Sequence, residues 1–322
     1  MKRTDIKRLL AVAVSSAFLM GSAAASASLI TPTLVVGGSK VDQIYPSAND
    51  THVIWTQNST AHVRHYDAES SVLPPSLSPT KMNQAGSLGF TGNITNGTSE
   101  AIFQEIANRA SNLYLYDVST DVRTDPPSGV NTSAWEWKPS ISPGFIEFGR
   151  STAVFKPKAK EKVVLYDRNS QTSKVLATMP EGCLCIYAEQ VSDQYATWIE
   201  CPNICRVWYY DIANDKVHQL KDPNGLWNYG PSVDGATGTL YFVQSGDACG
   251  LKVKLMRWSI GTPIDSATVV SKLPSGYDVG DTRVTVALGG DDDVYFSRMK
   301  CAGKYYSDIY KVASANTASP IA

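Results

Sequence analysis

The sequence predicts an all-β fold, a six-bladed β-propeller built from four-stranded antiparallel blades. Three observations carry that prediction. An alternating apolar strand recurs six times, with aromatic anchors Trp55, Phe103, Phe148, Trp198, Phe242 and Phe296 spaced 44 to 54 residues apart. A second strand ends in Tyr66-Asp67, Tyr116-Asp117, Tyr166-Asp167 and Tyr210-Asp211, decays to Trp258-Ser259 and Tyr310-Lys311, and keeps the same period. The 295 residues after position 27 divide into six units of about 49, close to the roughly 40–50 of propeller repeats.

Within each unit the elements follow in order. An innermost strand comes first, as in Ile44-Tyr45-Pro46-Ser47-Ala48, Pro139-Ser140-Ile141 and Pro231-Ser232-Val233. Turn signals such as Ser192-Asp193-Gln194, Asp234-Gly235 and Gly289-Gly290-Asp291 separate strands, because these residues favour tight backbone reversals. The third strand alternates with period two, as in Lys162-Val163-Val164-Leu165-Tyr166. A fourth follows, as in Ser173-Lys174-Val175-Leu176 and Lys216-Val217-His218-Gln219-Leu220. The last unit lacks room for an outer strand. The spare apolar segment Thr33-Leu34-Val35-Val36 is therefore expected to complete the sixth blade, closing the ring without an open edge.

Residues 1–27 read as a secretory signal. Lys2, Arg3, Lys7 and Arg8 precede a short apolar run from Leu9 to Met20, and Ala25-Ser26-Ala27 supplies small residues for cleavage after Ala27. The run is too short for a stable membrane span, and no Cys follows it for a lipid anchor. The expectation is a secreted or periplasmic protein, bacterial by the look of its leader, with residues 28–322 as a single propeller domain. The mature chain would carry 25 basic and 29 acidic residues, a net of −4, which gives no electrostatic footprint for nucleic acid. The whole chain is 43% hydrophobic and 18% charged with 16 Tyr, which excludes a disordered chain and a coiled coil. No membrane insertion and a monomer are expected.

Pro231-Ser232-Val233-Asp234-Gly235 followed by Leu240-Tyr241-Phe242 resembles the TolB-like propeller repeat, and Pro139-Ser140-Ile141-Ser142-Pro143-Gly144 resembles it too. The resemblance spans about residues 29–315 as a repeat grammar and implies a six-bladed ring. The α/β domain that precedes the propeller in TolB has no counterpart here, so the resemblance does not imply TolB's envelope partner.

Export makes the six cysteines read as three disulfides. Cys183, Cys185, Cys201, Cys205, Cys249 and Cys301 show C-x-C and C-x-x-x-C spacings rather than the paired C-x-x-C of a zinc site. The repeat places all six on one face. Cys183 and Cys185 enter blade 4, Cys201 and Cys205 lie in its second-to-third loop, and Cys249 and Cys301 occupy that loop in blades 5 and 6. Two bridges inside blade 4 and one between Cys249 and Cys301 are expected.

The same face gathers candidate ligand-binding aromatics, Trp135, Trp137, Trp227 and Tyr229, whose rings can stack on sugars or peptide or wedge between blades. Two residues beyond each anchor stand Gln57, Glu105, Arg150, Glu200, Gln244 and Arg298. Their mixed signs suit inter-blade ion pairs around the channel mouth or a polar ligand. Catalytic templates are thin. Ser78-Pro79-Thr80-Lys81 fits S-x-x-K without its supporting motifs. His62 and His65 fall on opposite strand faces, and Asp291-Asp292-Asp293 and Lys156–Lys162 read as solvated turns. Five N-x-[ST] sequons, at Asn49, Asn58, Asn93, Asn96 and Asn131, matter only in a eukaryotic source.

The sequence thus predicts an exported binding or scaffold propeller without catalysis, cofactor or metal, engaging a glycan or protein ligand on the cysteine-bearing face. The rival expectation is an extracellular glycoside hydrolase or lyase, with Glu189 and Asp281 as carboxylates at equivalent inner-strand positions.

Overall fold

The computed structural model describes residues 33–36, 41–58, 66–73, 79–95, 98–152, 160–179, 186–222, 224–246, 253–273, 276–286, 292–300 and 307–313. They form six four-stranded antiparallel sheets. Blade 1 holds β2 (Asp42–Ala48), β3 (His52–Asn58), β4 (Tyr66–Val72) and β5 (Thr80–Lys81). Blade 2 holds β6 (Leu88–Ile94), β7 (Glu100–Ala107), β8 (Ala110–Asp117) and β9 (Val122–Thr124). Blade 3 holds β10 (Trp135–Ile141), β11 (Phe145–Ser151), β12 (Glu161–Asp167) and β13 (Thr172–Thr178). Blade 4 holds β14 (Ile186–Val191), β15 (Tyr195–Glu200), β16 (Arg206–Asp211) and β17 (Lys216–Gln219). Blade 5 holds β18 (Trp227–Asp234), β19 (Thr239–Ser245), β20 (Lys254–Ser259) and β21 (Thr268–Lys272). Blade 6 holds β22 (Tyr277–Val286), β23 (Asp292–Lys300), β24 (Ser307–Ala313) and, as its outer strand, β1 (Thr33–Val36). The N-terminal strand therefore closes the ring as expected, pairing Thr33 with Lys311 and Leu34 with Tyr310.

The core is six apolar interfaces, one between each pair of neighbouring blades. Every aromatic anchor is buried and faces the blade before it. Trp55 packs against Tyr295 and Ile309 of blade 6, Phe103 against Ile54 and Ala68 of blade 1, and Trp198 against Val163 and Leu165 of blade 3. This is why the anchor tolerates Trp or Phe but stays large: it fills the wedge between two twisted sheets.

The Tyr-Asp motif is structural where its register holds. Tyr116, Tyr166 and Tyr210 pair with Ala101, Ile146 and Ala196 at the far end of the third strand. The following aspartate folds back on the turn. Asp117 accepts from the Ser119 and Thr120 amides at 2.9 and 3.2 Å and from the Ser119 hydroxyl, which with those amides holds its carboxyl down at about 2. Asp167 and Asp211 repeat the arrangement with the amides of Asn169, Ser170 and Asn214. Blades 1 and 6 depart from the sequence reading. Tyr66-Asp67 begins β4, opposite Asn58 and Gln57, and Ser71 takes the motif position opposite Val53. In blade 6 that position is Val312, and Tyr310 lies two residues earlier, opposite Phe296. Both matched the period by spacing but belong to other slots of the pleat.

The displaced Asp67 creates an acidic pair in blade 1. Its carboxylate meets Lys81 Nζ at 2.5 Å, and Glu69 lies opposite Lys81 in register. Burial raises the Glu69 carboxyl to about 7, the Asp67 charge pushes the same way, and Lys81 opposes both.

All six inner strands carry a one-residue bulge against their second strands. Just past it in blades 1 to 4, a polar side chain reaches the next blade's inner edge. Ser47 Oγ accepts from the Ile94 amide at 3.2 Å, Ser140 Oγ from the Val191 amide at 2.8 Å, and Gln190 Oε1 from the Val233 amide at 2.8 Å. Asn93 both accepts from the Ile141 amide at 2.5 Å and donates to its carbonyl at 2.9 Å. Three sequon asparagines are thereby committed to the fold. Besides Asn93, Asn49 holds the Thr51 and His52 amides, and Asn131 binds the Leu113 amide and carbonyl.

Two outcomes follow. Asn93→Ala strips both partners from the buried Ile141 backbone and should cost about 2–4 kcal/mol in chemical denaturation, while a loss under about 0.5 kcal/mol would show that this inter-blade link is dispensable. Glu69 has a folded value above the unfolded one, so its contribution favours the folded state fully below about pH 4.5 and is lost as pH rises through 7. Glu69→Gln should match the wild type at pH 4 and exceed it at pH 8, by up to about 3 kcal/mol; parallel stability profiles for the two proteins would refute the buried acid.

Candidate functional site

Alternating strand direction gives the ring two faces. The outer-to-inner links and second-to-third loops lie on the loop face, and the remaining hairpin turns on the turn face. On the loop face, Cys201 and Cys205 are joined by a disulfide within the second-to-third loop of blade 4. Cys183, Cys185, Cys249 and Cys301 lie outside the described residues, as do residues 1–27, Ser78, His62, His65, Asp291 and Lys156–Ala159.

The aromatic candidates share one side of each strand and divide by position along it. Trp137 packs edge-on against Tyr187 of blade 4, ring centroids 5.4 Å apart, and covers Gly149, where an added Cβ would stand 2.6 Å from its ring. Tyr229 packs against the apolar interfaces on both sides of blade 5. These two fill wedges. Trp135 and Trp227 begin their strands half-buried on the loop face.

The polar residues beyond the anchors pair mostly within their own blade or with the link entering it, which corrects the expected inter-blade ion pairs. Glu105 takes a two-pronged contact from Arg123 at 3.1 and 3.2 Å and the Gln84 amide at 2.8 Å. Arg150 binds Glu136 at 3.0 Å and the carbonyls of Gly129 and Val130 at 3.0 and 2.8 Å. Gln244 donates to Asp222 at 2.9 Å, Glu200 accepts from the Trp198 indole at 3.0 Å, and Gln57 accepts from the Trp55 indole at 3.4 Å. Arg298 binds the Tyr310 hydroxyl. Second-strand position explains this: the side chains point along the blade wedge toward the incoming link, one strand removed from the axis.

The carboxylates proposed for catalysis do not match in register. Glu189 is the bulge residue between the pairs Ala188–Trp198 and Gln190–Thr197. Asp281 pairs with Ser297, just beyond its own bulge. Glu189 is buried and lies 3.5 Å from Lys138 Nζ. Among the described residues, no group of three or more His, Cys, Asp or Glu is placed to hold a metal ion, and no helix is long and apolar enough to cross a membrane.

A cavity of about 260 Å³ opens on the turn face, at the channel mouth between blades 2 and 5. The inner strands end around it, bringing Asn93 and Thr95, Ser142, Gln190 and Asp193, and Asp234 to one rim. The sequence marked several of these only as turn residues. Ser192 Oγ accepts from the Gln194 and Tyr195 amides, Asp193 accepts from the Gly144 amide of blade 3 at 2.9 Å, and Asp234 accepts from the Ala236 amide at 2.9 Å. Gly235 is required there, because a Cβ would come within 2.6 Å of Ser192 Oγ. The rim is thus a set of locked turns presenting backbone and side-chain polar groups to a concave space.

No protein-family model and no curated protein sequence matches the chain. Solved structures do. TolB from Acinetobacter baumannii superposes with a TM-score of 0.53 at 14% identity, over 82% of this chain and 64% of that one, so this chain spans less than two thirds of that protein. A TolB-type structure from Agrobacterium tumefaciens gives 0.55 at 11% identity, over 84% and 90%. A chain of the nidogen–laminin complex gives 0.50 at 10% identity, over 81% and 96%. At these identities the likeness establishes the fold alone: the chain is a six-bladed propeller, similar in fold to the TolB structures.

Proposed function

We propose that the protein is an exported binding propeller that holds a polar ligand without converting it, and that the ligand seats in the turn-face cavity. The cavity carries the reading. Its volume, about 260 Å³, sits just below the roughly 300–1,000 Å³ of ligand pockets, which suits a short polar segment of a partner or a single sugar ring rather than a large cofactor. Its rim is pre-organised by the bonds among Ser192, Asp193 and Asp234 and their neighbouring amides, so little ordering is lost on binding. The nidogen–laminin complex is a precedent for a propeller of this shape engaging another protein. A second reading, binding on the loop face, draws on the half-buried Trp135 and Trp227 and the Cys201–Cys205 bond that tightens a neighbouring loop. A glycoside hydrolase or lyase reading loses support from the mismatched Glu189 and Asp281.

A glycan and peptide array on the protein, followed by variants on each face, tests this. Ala236→Trp fills the exposed rim and should weaken captured ligand at least tenfold, while Trp227→Ala should leave it within twofold. The reverse pattern moves the site to the loop face, and turnover of any captured ligand would overturn the binding-only reading.

A further inference from the structure

The inner strands of blades 1, 3 and 5 place Tyr45, Lys138 and Gly230 at one repeat position, each just before a proline. All three have positive φ, at 55°, 45° and 54°. Gly230 adopts this freely. For Tyr45 and Lys138 it is a strained backbone, and a following proline disfavours helical backbone further. Neighbouring blades hold the strain in place. Thr91 Oγ1 donates to the Tyr45 carbonyl at 2.8 Å, and the Lys138 amide donates to Gln104 Oε1 at 3.3 Å. Gln104 is fixed in turn by donating to Ser111 at 2.9 Å.

The strained bulges aim side chains at the propeller axis. Lys138 Nζ lies 5.3 Å from the Tyr45 ring of blade 1 and 4.8 Å from the Tyr187 ring of blade 4. It also lies 3.5 Å from Glu189 Oε1, a side chain only 2% exposed. Blades 1 and 4 are not neighbours, so one atom reaches both only across the channel. Two aromatic faces and a desolvated carboxylate are the chemistry that recognises an ammonium group. Trp137, packed edge-on against Tyr187, fixes that ring's plane.

We propose that Tyr45, Tyr187 and Glu189 form a binding site for a ligand's primary ammonium group, held closed by Lys138 as its built-in occupant. An incoming ammonium, such as a lysine side chain on a partner, enters by displacing that of Lys138. The site lies one residue deeper than the turn-face cavity, since Gln190 follows Glu189 and lines that cavity. Its chemistry does not depend on what the cavity itself binds.

The test uses the full chain with Lys138→Gly, which removes the occupant and relaxes the backbone to the state Gly230 already takes. n-Butylammonium chloride is titrated calorimetrically, with n-butanol as the neutral isostere. The variant should bind butylammonium at least tenfold more tightly than the wild type does and at least tenfold more tightly than it binds butanol. Adding Glu189→Gln should abolish the preference for the amine. Equal binding of amine and alcohol, or no gain over the wild type, overturns the proposal. Lys138→Ala serves as a second host under the same criteria, so a folding failure of the glycine variant leaves the question answerable.

Discussion

Each blade ends at the axis in an edge strand, and the backbone groups of that edge are the constraint on which the ring depends. A buried sheet edge must find partners for its amides and carbonyls. Here the preceding blade supplies them. Ser47, Asn93, Ser140 and Gln190 stand at one repeat position and reach Ile94, Ile141, Val191 and Val233 of the blade that follows. The apolar wedges between blades are larger in area, but apolar contact is non-directional and would let one sheet slide along the next. The hydrogen bonds fix the register that the anchors then fill.

The bulge makes this possible. One extra residue in each inner strand bends it and re-aims the side chains around it. Past the bulge, in blades 1 to 4, the polar residue turns toward the next blade. At the bulge, in blades 1 and 3, the side chain turns toward the axis. The same irregularity therefore serves cohesion and fills the channel, and the positive φ of Tyr45 and Lys138 is the local cost of doing both in one strand.

Much of the ring was legible because its signals are local and repeated. The anchors, the Asp-Gly and Ser-Asp turns, and the spare strand Thr33–Val36 all report through period and turn chemistry. What escaped was register. Tyr66-Asp67 and Tyr310-Lys311 fitted the spacing, yet strand pairing assigns their slots to Ser71-Val72 and Val312-Ala313. Spacing in sequence absorbs loop-length differences that pairing does not. The same gap hid the channel cluster. Pro-Ser in alternate blades was visible, but a lysine with positive φ before proline runs against local preference, so only tertiary clamps such as Gln104 reveal it. Glu189 and Asp281 looked equivalent for the same reason, and the bulges offset them.

The two faces then carry different kinds of order. On the turn face, aspartates and serines lock hairpins onto themselves at Asp117, Asp167, Ser192 and Asp211, Asp193 bonds to the neighbouring hairpin at Gly144, and Gly235 leaves room for Ser192. On the loop face, the links between blades bond within themselves, as Asn83 does to Ser87 and Asp222 to the Asn224 amide, and second strands also reach out to hold them. Glu105 takes the Gln84 amide, Arg150 takes the carbonyls of Gly129 and Val130, and Gln244 takes Asp222. In blades 2, 3 and 5 a polar residue at that repeat position therefore has a structural partner in the link that enters its blade. Charge varies from blade to blade because the group offered varies, an amide in one link and carbonyls in the next.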